Sequence, residues 1–127
     1  MDKLLLVAAG GATGSLARYL LQGQTLRWFG PGWPYGTFAA NLLGGLLMGL
    51  LVGFLAHRGG ADQERLRVLL GVGVLGGFTT FSAFSLDTAL MIQRRAYGDA
   101  FSYAAASVLL SIAALFIGLI LARRLFA

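Results

Sequence analysis

Four apolar stretches, Leu4 to Leu21, Tyr35 to Ala56, Leu66 to Ile92 and Phe101 to Ala122, occupy most of this chain. A helix crossing a hydrocarbon core of about 30 Å needs roughly 20 largely apolar residues, so each stretch predicts a transmembrane helix. The fold class expected is an all-α membrane protein with four transmembrane helices, residues 1–127 forming a single domain. With 57% of residues hydrophobic and only 12% charged, an ordinary soluble domain is excluded.

The formal net charge of +5 would point to nucleic acid in a soluble protein, but here the basic residues fall beside the spans and read as headgroup anchors. The chain has no cysteine, which removes disulfides and thiolate metal sites, and its one histidine, His57, is too isolated to build a zinc site. The opening MDKLLLVAAGGA has the flavour of a signal peptide. Its apolar core from Leu4 to Ala9 is short, however, and the helical pattern continues to Leu21, so a retained first helix is expected.

Four spans place both termini on one side. That side carries Lys3, Arg58, Arg65, Arg67, Arg123 and Arg124, against Arg27, Arg94 and Arg95 on the other. The balance leans towards termini inside. Asp2, Asp62 and Glu64 dilute the first face and Asp99 the second, and a bias this weak leaves insertion in both orientations open.

Small and polar residues then mark one face of each helix. Asn41, Gly45, Gly49 and Gly53 recur every fourth residue, a close-approach surface of the kind that packs helices in lipid. Asn41 either ties two helices together or offers its amide to something that passes. Gly10, Gly14 and Arg18 repeat the spacing in the first span. Arg18 has two readings: a guanidinium snorkelling to headgroups from near the end of the span, or a fixed positive charge at the mouth of an anion path. Tyr103, Ser107 and Ser111 give a hydroxyl track in the fourth span, serving either their own helical turn or a desolvated anion.

In the third span, GVGVLG (Gly71 to Gly76) matches a dinucleotide fingerprint by letter only, because it lies inside an apolar run and Asp87 follows too soon. The informative stretch is GGFTTFSAFS, Gly76 to Ser85. Two adjacent glycines followed by Thr79, Thr80, Ser82 and Ser85 predict a helix break near mid-membrane, where freed backbone groups survive only when buried in protein or lining a cavity. Phe78, Phe81 and Phe84 step by three beside the hydroxyls of Thr79, Ser82 and Ser85. Phenyl edges are electropositive and can attract an anion while excluding water.

Together, GATGSLARYL with Arg18, PYGTFAANLLGG with Asn41, GGFTTFSAFS in the third span, and Tyr103, Ser107 and Ser111 resemble the Fluc/CrcB fluoride channel family over the whole chain. The resemblance implies passive fluoride export across the bacterial inner membrane, with no enzymatic step, by an antiparallel, dual-topology homodimer whose two pores draw on both subunits. It implies Phe81 and Phe84 as pore-lining rings, Asn41 as a fluoride-coordinating amide and Arg18 as the vestibule cation. Ser82, Thr37, Tyr103, Ser107 and Ser111 would supply polar lining. The backbone carbonyls of Gly76 and Thr79 would hold a structural Na⁺ at the dimer centre. Asp87 departs from the pattern, standing where many members carry the longer glutamate, and Phe78 is given no pore role.

Two rivals remain at this stage. A proton-coupled exporter of the small multidrug resistance type shares the size and span count. It needs an acidic residue in the first span, where this chain has Arg18 and no carboxylate between Lys3 and Gly53. A non-conducting membrane assembly protein needs only the glycine stripes, and ion flux in liposomes separates it from a channel.

Overall fold

The computed structural model describes residues 2–57 and 63–126, so Arg58 and Asp62 of the charge balance lie outside the described residues. The described regular structure is helical throughout. It comprises α1 (Asp2–Phe29), α2 (Tyr35–His57), α3 (Gln63–Leu66), a π-helical segment (Arg67–Leu75), α4 (Gly76–Phe78), α5 (Ser82–Gln93) and α6 (Tyr97–Phe126). Four units, Asp2–Phe29, Tyr35–His57, Gln63–Gln93 and Tyr97–Phe126, are long and apolar enough to cross a membrane.

Helix α1 runs eight residues past the expected end at Leu21. Gln22, Gln24 and Thr25 are polar but do not oppose a helix, and the Thr25 hydroxyl returns to the Gln22 carbonyl at 3.1 Å. The helix stops at Gly30, whose φ of +77° suits glycine and whose N–H closes onto the Leu26 carbonyl at 2.9 Å. Helix α6 likewise exceeds its predicted bounds at both ends. Asp99 sits in its first turn and Arg123 and Arg124 in its last, each sign where the helix dipole favours it.

The glycine stripes act as contact surfaces. A Cβ at Gly45 would lie 2.7 Å from the Ser111 carbonyl oxygen, and one at Gly49 would collide with that of Leu115, so α2 and α6 touch backbone to backbone. Gly10 does the same for α1 against the third span, its Cβ position lying 2.6 Å from the Leu69 carbonyl oxygen. Outward faces carry large exposed apolar side chains such as Leu16, Leu109 and Ile117, as a lipid-facing surface requires.

Gly76 and Gly77 do not themselves interrupt the third span. Both are helical, and a Cβ at Gly77 would come within 2.6 Å of the Gly11 carbonyl oxygen, so close packing explains that glycine. The backbone leaves helical geometry at Thr79 (φ −87°, ψ 156°) and resumes it at Ser82. The departure thus begins after both glycines of GGFTTFSAFS. It follows nine π-helical residues, a conformation often found at functional sites.

One end of the molecule is tied by ion pairs from Arg65 to Asp2 (2.8 Å) and from Arg67 to Glu64 (2.6 Å). An edge-on contact of Phe54 with Phe126, centroids 4.9 Å apart at 74°, brings the close of α6 to the same end as the close of α2. At the opposite end Met91, Ala100 and Tyr103 form a buried cluster flanked by Trp33, Phe38 and Phe84.

Candidate functional site

The site is built around the non-helical peptide of Thr80. Asn41, on α2, donates from Nδ2 to the Thr80 carbonyl at 3.0 Å and accepts the Thr80 N–H on Oδ1 at 2.8 Å. A helix interior cannot present both the N–H and the C=O of one residue to a neighbour, because the helical ladder uses them. The Thr80 hydroxyl in turn accepts the N–H of Ala83 at 3.1 Å, capping the first turn of α5. Of the two readings for Asn41, the geometry shows a tie between helices, with one amide hydrogen left over.

Beside this peptide lies a cavity of about 410 Å³ whose lining includes Asn41, Thr80, Phe81, Phe84, Ser107 and Ser111. The Phe81 and Phe84 rings stand 5.5 Å apart at 46°. Ser107 and Ser111 place buried hydroxyl oxygens here with no hydrogen-bond partner among the described residues. Neither serine therefore spends its hydroxyl on its own helical turn. A buried hydroxyl left unmet costs about 1–3 kcal/mol, so these two, on one face of α6, are open to a donor or an acceptor entering the cavity.

Tyr103 links this cavity to a second. Its wholly buried ring lies 5.2 Å from Phe84, and its hydroxyl donates to Asp87 Oδ2 at 3.1 Å. Asp87 and Thr37 line the second cavity, of about 420 Å³, together with Gln22 and Arg94. There Gln22 Nε2 donates to the Thr37 hydroxyl at 3.2 Å. Thr37 and Asp87 thus occupy a mouth beyond Tyr103, not the phenylalanine cavity.

Arg18 is half-buried and aims inward, its Nη1 donating to the Thr79 carbonyl at 3.4 Å. Helix α1 continues to Phe29, so Arg18 lies within it and not at its end. It lines neither cavity. Ser82 is exposed, pairs with the Thr80 hydroxyl at 3.2 Å and also stays outside both cavities in the single chain. Phe78 is in the lining of neither cavity; its backbone N lies by Gly14 and its ring by Gly44.

The Gly76 and Thr79 carbonyls are the groups that would hold the Na⁺ implied by the resemblance. In a continuous helix the N–H of Thr80 would close onto it, but Asn41 takes that N–H, and Gly76 is exposed. A free carbonyl oxygen is a suitable donor for a hard cation. The Thr79 oxygen has two lone pairs, of which the long contact from Arg18 occupies one. The donor chemistry fits, with Arg18 a nearby opposing charge.

Several contributors escaped the sequence: Thr80 as a cavity wall, the Asp87–Tyr103 hydrogen bond, Gln22 and the loop residue Trp33. Only Gln22, four residues beyond Arg18 on the same helix face, left a periodic signal.

Four membrane-capable helices, with cavities lined by rings, hydroxyls and an amide, define a multi-pass helical membrane protein. The model of the CrcB-like protein family, Camphor Resistance (CrcB), matches residues 5–119, and the chain belongs to that family. Over its full length it is 73% identical to a "Fluoride-specific ion channel FluC" of Phenylobacterium zucineum (strain HLK1), covering all of that protein. A protein of the same name from Caulobacter sp. (strain K31) is 71% identical over all of this chain and 99% of its own length. One from Mesorhizobium japonicum (strain LMG 29417 / CECT 9101 / MAFF 303099) is 51% identical over 98% of this chain and 99% of its own.

Proposed function

We propose that this protein is a passive, fluoride-selective ion channel of the bacterial inner membrane. The observation that carries the mechanism is the pair of buried, unpartnered hydroxyls of Ser107 and Ser111, facing a cavity walled by phenyl rings and an amide. Fluoride is small and strongly hydrated, so a path for it must replace water with closely spaced donors. Two serine hydroxyls and the spare Asn41 amide hydrogen are such donors, and the edges of Phe81 and Phe84 add positive potential without competing acceptors.

Arg18 supplies the sign preference. Its guanidinium cannot shed its proton to escape desolvation, so a positive charge persists close to the Thr79–Thr80 peptide whatever the pH. The departure from helix at Thr79 is read as a break at mid-membrane depth, tolerated because Asn41 satisfies the Thr80 peptide.

The working unit is an antiparallel homodimer with two pores. Phe81 is 77% exposed in one chain, and a ring so placed cannot wall a pore unless a second surface covers it. A weak charge bias between the two faces permits the opposite insertions that such a dimer needs. The Gly76 and Thr79 carbonyls of both subunits would hold a structural Na⁺, which would neutralise backbone dipoles turned towards the dimer axis.

The test is halide efflux from proteoliposomes. Fluoride passes and chloride does not, and Phe84→Ile cuts fluoride flux while leaving the protein folded. Equal passage of both halides, or of neither, would refute the channel reading.

A further inference from the structure

Trp33 belongs to none of the residues assigned above, yet it sits at the end of a continuous run of rings. From the α1–α2 loop its indole meets Tyr103 edge-on, centroids 5.1 Å apart at 84°. Tyr103 lies 5.2 Å from Phe84, and Phe84 lies 5.5 Å from Phe81. Four rings therefore connect the mouth of the second cavity, which Trp33 also lines, to the serine and phenylalanine cavity.

We propose that Trp33 is a positioning residue of the conduction path, acting through Tyr103 to set the attitude of Phe84. The proposal rests on the fluoride-channel reading and adds to it a residue outside the spans.

Three observations support it. The loop is stiff where it carries the indole: Pro31 and Pro34 fix φ nearby, Gly30 has its left-handed turn, and the Tyr35 N–H closes onto the Trp33 carbonyl at 2.8 Å. The indole is held laterally by Tyr35 and Phe38, both at 5.0 Å, so it can serve as a stop and not merely a filler. Tyr103 is constrained at its hydroxyl by Asp87 and on its ring by Phe84, which leaves Trp33 as the third point fixing its tilt. Edge-to-face pairs prefer a definite angle, and close-packed interiors pass displacements on to the next side chain. A ring that loses this stop shifts Phe84 away from the donors of Ser107 and Ser111.

The experiment compares Trp33→Phe with Trp33→Leu in proteoliposomes, both variants retaining apolar bulk. Trp33→Phe is expected to keep fluoride flux near wild type, while Trp33→Leu loses about tenfold or more, with unchanged elution in detergent. Equal flux from the two variants overturns the proposal. A second measurement needs no change at Trp33 itself. Of the two tryptophans, Trp28 is exposed, so Trp28→Phe leaves Trp33 as the sole indole. Its emission is expected to respond to fluoride and not to chloride. Emission blind to fluoride in protein that conducts it also overturns the proposal. Wild-type protein that passes no fluoride defeats the channel reading, and this proposal with it.

Discussion

Asn41 holds the Thr80 peptide by both of its polar groups, with hydrogen bonds of 3.0 Å to the carbonyl and 2.8 Å from the N–H. An amide donates and accepts at adjacent positions without a charge at any pH, and an ionised isostere separates its two tasks. Asn41→Asp keeps an acceptor for the Thr80 N–H but turns a carboxylate oxygen towards the Thr80 carbonyl. Fluoride flux is expected to fall below detection. Stability should drop by about 1–3 kcal/mol, as for an unmet buried polar group. Thermal unfolding in detergent and fluoride efflux check the two halves separately.

Ser107 and Ser111 invert the usual relation between stability and removal of a polar group. Because neither hydroxyl has a partner among the described residues, Ser107→Ala and Ser111→Ala forfeit no hydrogen bond there and remove an unmet group. Each variant is expected to melt at or slightly above the wild-type temperature while conducting fluoride more slowly. A fall in melting temperature with flux intact would mean that the hydroxyls serve packing.

How much of this could be seen in the sequence depended on whether a residue's partner lay on a periodic surface. The track of Tyr103, Ser107 and Ser111 and the glycine stripe of α2 were legible because a four-residue step fixes a helix face. That Asn41 would find Thr80 was not legible, since the pairing needs a peptide outside the helical ladder, 39 residues away. Gly77 misleads as a helix-breaking signal, because the missing Cβ that lowers helix propensity is also what close packing against Gly11 requires. Ser82, placed in the lining by resemblance, is exposed outside the cavity in the single chain, and Thr80 takes the wall two residues before it. Trp33 sits in a loop, where no period announces its target.

Gly45 and Gly11 offer a matched pair for the packing argument. A Cβ at Gly45 would stand 2.7 Å from the Ser111 carbonyl oxygen, whereas one at Gly11 would meet nothing within 4 Å. Gly45→Ala must push α6 away from α2 and carry Ser111 with it. A loss of about 1–3 kcal/mol and of most fluoride flux is expected, by analogy with overpacked cores. Gly11→Ala should leave both unchanged.

Arg18 and the proposed Na⁺ compete for one oxygen, and that competition is measurable. Arg18 donates to the Thr79 carbonyl at 3.4 Å, close enough to oppose a cation bound by the same atom. A cation bound only by the folded protein raises its stability with concentration, by about 2.7 kcal/mol at a hundred times its dissociation constant. Wild-type protein is therefore expected to melt higher in Na⁺ than in a bulky organic cation at equal ionic strength. Arg18→Ala frees the oxygen and removes the opposing charge, so half-maximal stabilisation should shift to lower Na⁺ even as fluoride flux is abolished. The two effects run in opposite directions, and a general loss of folding could not produce both. Melting curves insensitive to Na⁺ in both proteins would remove Gly76 and Thr79 as cation ligands and leave Arg18 with its anion role alone.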